Sequence, residues 1–237
     1  MAGVRKRIVP VAAALAAVLA LVLTSAPAPA AGTPGVERAQ RRLDDLGCSA
    51  GPADGRLGAR TRSAVIRFQS RTGLAQSGRL TQATRDHLYA AGAKRCDRRP
   101  VPARSGSGRR IVISQHQNWV WLVGPKGGVV AQGGIVDNPS VLPRGSWGTG
   151  SYCGRAARIG RNTTDSGQVW LENFVRFAPC GIGFHRIPTY QSNGAQMHPD
   201  WLLGTNLTES HGCIRLSRAM SRRVWDFTTA RTPVRVV

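Results

Sequence analysis

The chain has 237 residues, 41% of them hydrophobic, and carries 33 Lys and Arg against 12 Asp and Glu for a formal charge of +21. That apolar content is ample for packed cores and excludes a wholly disordered or fibrous chain, while the length suggests two domains. The arginine excess favours polyanionic surroundings, but the arginines are scattered and not gathered into a stripe with interleaved aromatics, so no specific nucleic-acid partner is expected.

Arg5, Lys6 and Arg7 form a basic start, Ile8 to Leu23 an apolar run, and Ala28-Pro29-Ala30 a small-residue cleavage site. This pattern predicts an export signal over 1–31, with the mature chain starting near Ala31. The apolar run is also close to the length that spans a bilayer, so contact with a membrane is expected only if this segment stays uncleaved. In both cases the body of the protein lies outside the cytoplasm, and removal of the three early cations lowers the charge from +21 to +18. An oxidising compartment permits disulfides, and five cysteines leave one thiol over. Cys48 and Cys96 bracket a helical segment, Cys153 and Cys180 both lie in the C-terminal region, and Cys213 is then the odd one. The predicted pairs are Cys48–Cys96 and Cys153–Cys180. Spacing alone does not fix that connectivity, and cysteines also serve metals, although no C-x2-C pair is present.

Residues 35–92 read as a small helical module. Val36, Ala39, Leu43 and Leu46 recur at helical spacing, with Gly47 placed to end that helix. Ala64, Val65 and Phe68 mark a second helix, and Leu80, Thr81 as N-cap and Leu88 a third. Pro52, Asp54-Gly55 and Gly58 supply turn chemistry between them. Asp54-Gly55-x-x-Gly58-x-x-Thr61-Arg62-x-Ala64-Val65-x-x-Phe68-Gln69, with Gly73-Leu74 and Gly78-Arg79-Leu80-Thr81, resembles the peptidoglycan-binding domain type 1, a three-helix module. The resemblance implies weak wall targeting and no catalysis. Residues 93–108, with Pro100, Pro102, Ser105, Gly106, Ser107 and Gly108, lack periodicity and predict a soluble, extended linker.

Beyond the linker, over 109–237, the period becomes strand-like. Ile111 to Ile113, Asn118 to Val123 and Val129 to Ala131 are apolar runs, and Gly124-Pro125-Lys126-Gly127 turns the last two into a hairpin. Val169 to Phe177, Gly181 to Ile187 and Pro233 to Val237 predict further strands, and Leu216 to Ala230 a helix. The expected domain is mainly β with one or two peripheral helices, and Trp119, Trp121, Phe174 and Phe177 belong to its core.

Ser210-His211-Gly212-Cys213-Ile214-Arg215-Leu216 carries the chemistry. A thiol attacks as its thiolate, whose pKa falls beside an imidazolium or backbone N–H groups. His211 and Gly212 can supply such surroundings, and the Gly212 and Cys213 amides can together hold an oxyanion. A tight turn around a buried thiol is the structural alternative. With Gly181-Ile182-Gly183-Phe184-His185 upstream, the motif resembles the L,D-transpeptidase catalytic domain, also called YkuD-like. The resemblance implies a β-sandwich with Cys213 as nucleophile, His185 as proton donor and acceptor, and His211 shaping the pocket. It makes Ser210 and Gly212, by hydrogen bonding, and Arg215, by gripping a carboxylate, the oxyanion and substrate-binding residues. It further implies acyl transfer on peptidoglycan stem peptides to form 3-3 cross-links, with no metal or organic cofactor, and acylation of the same sulfur by carbapenems. Anionic wall polymers are the partners expected from charge, and the location is secreted and wall-associated.

Three departures accompany the resemblance. The family's Thr-Pro-x-Gly turn has only Pro143-Arg144-Gly145 or Trp147-Gly148-Thr149-Gly150 as counterparts. The stretch from His185 to Ser210 is long and holds Tyr190, His198 and Trp201; it reads as a loop over the site entrance or as surface decoration. Arg186 after His185 leaves the imidazole's orienting partner open, its backbone carbonyl being one choice. The same thiol could equally serve a carboxypeptidase or endopeptidase if water resolves the thioester. His185, His198, His211 and Cys213 are also zinc-type donors, but no H-E-x-x-H helix accompanies them.

Overall fold

Two layers of sheet face one another around the main hydrophobic core in a computed structural model that describes residues 2–3 and 32–237. The export segment and its cleavage site lie outside the described residues. No described helix is long and apolar enough to cross a membrane.

The N-terminal part holds α1 (Pro34–Asp45), α2 (Ala59–Thr72) and α3 (Gln82–Tyr89). Helix α1 buries Ala39 and Leu43 on one face, as the spacing requires, and they pack with Leu46, Ala64, Val65, Phe68 and Leu88. Gly73, left-handed at φ 81°, ends α2, and the Thr81 hydroxyl caps α3 by accepting the Thr84 N–H at 3.2 Å. Buried Gln40 fixes the connecting turn, donating to Asp54 Oδ1 at 2.8 Å and accepting the Gly55 N–H at 2.9 Å. A Cys48–Cys96 disulfide closes this module.

Next come β1 (Arg110–Ser114), β2 (Trp119–Val123), β3 (Val129–Gly134), β4 (Gly145–Gly148), β5 (Arg158–Thr163), β6 (Val169–Arg176), β7 (Gly183–Arg186), β8 (Thr189–Tyr190) and β9 (Ile214–Leu216). Helix α4 (Arg218–Phe227), capped by Ser217, and β10 (Pro233–Val236) complete the chain. One sheet runs β3-β2-β1-β10-β4; the other runs β5-β6-β7-β9, with β8 paired to β6. Ile111, Ile113, Val120 and Leu122 turn inward from the first sheet against Val175, Phe184, Ile214 and Leu216 of the second. Met220 and Val224 of α4 join that core. Val112, Trp119, Trp121 and Val123 point the other way and are nonetheless buried, because Val101 and Val237 pack on them. The fold is thus a helical module followed by a β-sandwich of two mixed sheets.

Residues 93–108 differ from the solvated spacer that their composition predicts. Cys96 is bridged and Arg99 is only 2% exposed. The Arg99 guanidinium donates to the Cys96, Gln117 and Arg67 carbonyls at 3.0, 3.0 and 3.1 Å and to Ser70 Oγ at 3.1 Å, and lies 4.0 Å from the Trp119 ring. Arg67 of α2 does the same work from the other side. It donates from Nε and Nη2 to the Cys48 carbonyl at 2.9 and 2.7 Å, and from Nη1 to the Trp201 and Leu203 carbonyls at 2.6 and 3.2 Å. Because carbonyl groups of both parts converge on these cations, residues 32–237 form one compact unit. Arginine reads as solvent-seeking in sequence; here its fork of donors replaces the water that it loses.

Arg67→Met keeps an unbranched apolar stem but deprives buried carbonyls of their donor, each costing about 1–3 kcal/mol. We expect a loss of about 3 kcal/mol, read as a fall of about 6–12 °C in the thermal midpoint. Arg67→Lys should fall between the two.

Candidate active site

Strands β7 and β9 run parallel as neighbours, with Phe184 opposite Ile214 and His185 opposite Arg215. Cys213 enters β9 from a turn that only glycine suits. Gly212 has φ 118°, and a Cβ there would stand 2.7 Å from Val141 Cγ1. The Ser210 hydroxyl accepts the Gly212 N–H at 2.9 Å, while the Ser210 N–H and carbonyl are held by the Asp137 carbonyl at 3.0 Å and by Asn138 Nδ2 at 2.9 Å. The backbone of Arg215 is bridged to Val136 in both directions. The strip 136–138 therefore fixes the whole turn.

Ser210, His211, Cys213, Arg215 and His185 line one cavity of about 370 Å³, closed on other sides by Val169, Leu171, Pro188, Tyr190 and Met197. The sequence motif and the upstream histidine are thus brought together. His198 is not among the lining residues; it is buried, its Nδ1 lies 3.2 Å from the Pro199 carbonyl, and its Nε2 has no partner among the described residues. Among the described residues no three His, Cys, Asp or Glu side chains converge as metal ligands. The long segment after His185 has two roles: Pro188, Tyr190 and Met197 wall the cavity, while Trp201 and Leu203 are gripped by Arg67.

His185 is 3% exposed, and its Nδ1 lies 2.6 Å from the Arg186 carbonyl. A carbonyl only accepts, so Nδ1 carries the proton and Nε2 is left as the basic atom. Burial pushes its pKa down to about 4; the Arg186 carbonyl opposes this, and the charges of Arg215 and His198 reinforce it. Burial also pushes the Cys213 thiol up, against the Gly183 N–H and the charges of Arg215 and Arg176. Both shifts favour a neutral thiol and a neutral imidazole, the reverse of a thiol acidified by an imidazolium. The thiol proton is directed to the Gly181 carbonyl at 3.4 Å, not to the imidazole. Such bonds often shorten only when substrate is present. The guanidinium of Arg215 has no hydrogen-bond partner among the described residues and faces the cavity.

Cys213 is the free cysteine; Cys48 is bonded to Cys96, and Cys153 to Cys180. The second bridge anchors the loop that presents the Gly181 carbonyl to the thiol. Several contributors escaped sequence reasoning. Phe174 stacks on His185 with ring centroids 6.2 Å apart, and glycine at 183 is what lets it lie there, since a Cβ would stand 2.7 Å from its ring. A glycine inside the run 181–187 that the sequence predicts as a strand is the signal that marks such a close approach. Arg176, 2% exposed, sets its guanidinium 5.0 Å from the same ring, with Nη1 unpartnered among the described residues. Asp137 is 3% exposed, burial raises its pKa to about 6, and its Oδ2 has no partner among the described residues. Nothing in the local pattern distinguishes it from a surface carboxylate.

Solved structures resemble the chain at low identity. The L,D-transpeptidase of Xylanimonas cellulosilytica DSM 15894 is 22% identical with a TM-score of 0.49, over 90% of this chain and 100% of that one. The L,D-transpeptidase of Stackebrandtia nassauensis is 19% identical with a TM-score of 0.44, over 87% and 92%. A fused Zn-dependent amidase/peptidase and peptidoglycan-binding protein of Clostridium acetobutylicum ATCC 824 is 18% identical with a TM-score of 0.40, over 87% and 96%. No curated protein matches the chain. Family models match a peptidoglycan binding domain over 32–88 and the L,D-transpeptidase catalytic domain over 98–236. Since the second match spans more than half of the residues, the chain belongs to the YkuD family of L,D-transpeptidase catalytic domains, with a peptidoglycan-binding module ahead of it.

Proposed function

We propose that this protein is an exported cysteine acyltransferase that makes 3-3 cross-links between peptidoglycan stems. The observation that carries the reading is a single unbridged thiol and an imidazole with its Nε2 unprotonated, on adjacent parallel strands and facing one cavity. Cys213 Sγ attacks the carbonyl between the third stem residue, a diamino acid, and the fourth, D-alanine, while His185 Nε2 takes the thiol proton. Of the two amides expected to meet the oxyanion, that of Gly212 is engaged by Ser210, so this task falls to the Cys213 N–H. The C–N bond breaks, His185 returns the proton to the departing amine, and a thioester remains. The side-chain amine of a neighbouring stem then attacks that thioester, giving its proton through His185 to the leaving sulfur. Arg215, charged and facing the cavity, is suited to a stem carboxylate, while His211 stands exposed at the rim. Two disulfides and the wall-binding module support an extracytoplasmic site of action.

Incubation with tetrapeptide-bearing wall fragments, followed by mass spectrometry of the muropeptides, tests the reaction. Cross-linked dimers are expected. Tripeptide monomers alone would mean that water resolves the thioester, and the enzyme would be a hydrolase. Cys213→Ala should abolish both products, and unchanged turnover in that variant would sink the assignment of the nucleophile.

The neutral resting pair has its own signatures. The rate of Cys213 alkylation by iodoacetamide should rise with pH to a midpoint above the ordinary thiol range, because burial holds the proton on sulfur. On the acid side, the unfolded His185 binds a proton near its ordinary value of about 6.5, and the folded one only near 4. Its contribution to stability is therefore intact above pH 6.5 and falls by about 3 kcal/mol on descending to pH 4. Denaturant titrations of wild type and His185→Gln across that window should show this slope in the wild type and its absence in the variant.

A further inference from the structure

A second cavity, of about 540 Å³, opens at the seam between the helical module and the β-sandwich. Arg60 and Asp97 come from the module's side, Asp200 and Trp201 from the segment after β8, and Arg67 and Trp119 lie beneath. Three observations decide what such a groove can hold. Its chemistry is mixed: the partly exposed indole of Trp201 offers a flat apolar face, and exposed carboxylates stand beside an exposed arginine. The Asp97 carboxylate is further neutralised by Arg95, at 2.9 and 2.8 Å. The lining sets two carboxylates, Asp97 and Asp200, against two arginines, Arg60 and Arg67, a balance that suits a neutral, hydroxyl-rich ligand better than a polyanion.

The second observation is rigidity. Arg67 and Arg99 hold both sides of the seam through buried and half-buried hydrogen bonds, so the groove is formed before any ligand arrives. The third is continuity with the catalytic cavity. One segment serves both, since Met197 lines the cavity that holds Cys213, whereas Asp200, Trp201 and Leu203 line the groove. Trp201 lies four residues beyond Met197, at most about 14 Å away when the chain is fully extended. A polymer that places a peptide in one cavity has its next unit within reach of the other.

We propose that this groove is a saccharide subsite, which binds uncharged N-acetylhexosamine units of the glycan strand bearing the stem peptide. The assignment rests on the wall-directed reading above, but its test does not depend on turnover. The Cys213→Ala protein, full chain, is titrated with a β-1,4-linked N-acetylglucosamine tetramer free of peptide, by calorimetry and by tryptophan fluorescence. Saturable binding is expected, weakened at least tenfold by Trp201→Ala and several-fold by Asp200→Asn. Thermal melts accompany each variant, and Asp200→Asn carries the test alone if Trp201→Ala does not fold. Absence of saturable binding at millimolar sugar, or equal binding by all folded variants, overturns the subsite. So does competition of polyphosphate for the tetramer, which would make the groove an anion site. None of these results bears on whether Cys213 forms a thioester, so the two readings fail separately.

Discussion

The arrangement depends on two guanidinium groups buried without a carboxylate. Removing a cation from water is costly unless its donors are matched. Arg67 and Arg99 meet that requirement with main-chain oxygens, and burial lowers their pKa values to about 10 and about 9, which leaves both charged at neutral pH. Their acceptors include the carbonyls of Cys48 and Cys96, the two residues joined by the first disulfide. The bridge therefore fixes the acceptors, the acceptors fix the cations, and the cations fix the module against the sandwich. A wall-binding element on a flexible tether could only raise local concentration. On the proposed function, one held in this way would set the direction from which a polymer approaches the cavity that holds Cys213.

How much of this was legible follows from the range of each interaction. Helices α1 to α3, the β2–β3 hairpin and the cap of α3 were readable because their signals lie within a few residues: Ala39 and Leu43 on one face, Thr81 ahead of Thr84, glycines at turns. Residues 93–108 were misread because the partners of Arg99 stand at 67, 70 and 117, outside any local window. Strand β5, Arg-Ile-Gly-Arg-Asn-Thr, lacks an apolar run because it is an edge strand with much of its surface exposed. Strand β4 is likewise short and at an edge, where the sequence suggested only a turn.

At the site, the residue types were legible and their electrostatic state was not. A cysteine and a histidine in two blocks point to a nucleophile and a base, but the sign of each pKa shift depends on burial and on charges from other strands. Arg215 acts on both partners at once, and Arg176 on the thiol. Positive charge beside the thiol favours its thiolate, whereas positive charge beside the imidazole disfavours the imidazolium that would have to accompany it. With burial opposing both ions, the resting pair stays neutral. On the proposed mechanism the proton would then move only as the carbon–sulfur bond forms, when negative charge shifts from sulfur to the carbonyl oxygen and His185 is left with a charged adduct beside it.

If the protein is exported as proposed, that neutral state also answers a difficulty of the compartment. Conditions oxidising enough to keep two disulfides closed would convert an exposed thiolate to sulfenic acid or to a mixed disulfide, because susceptibility follows thiolate character and access. Cys48, Cys96, Cys153 and Cys180 are already paired, so intramolecular exchange would require opening a bridge. The remaining sulfur is held protonated, against the Gly181 carbonyl, in a cavity closed in part by Met197 and Tyr190. A thiol activated at rest by an imidazolium would be faster towards substrate and towards oxidants alike. Burial of both partners, with the basic Nε2 left free, reserves the reactive form for a ligand that can accept the sulfur's electrons.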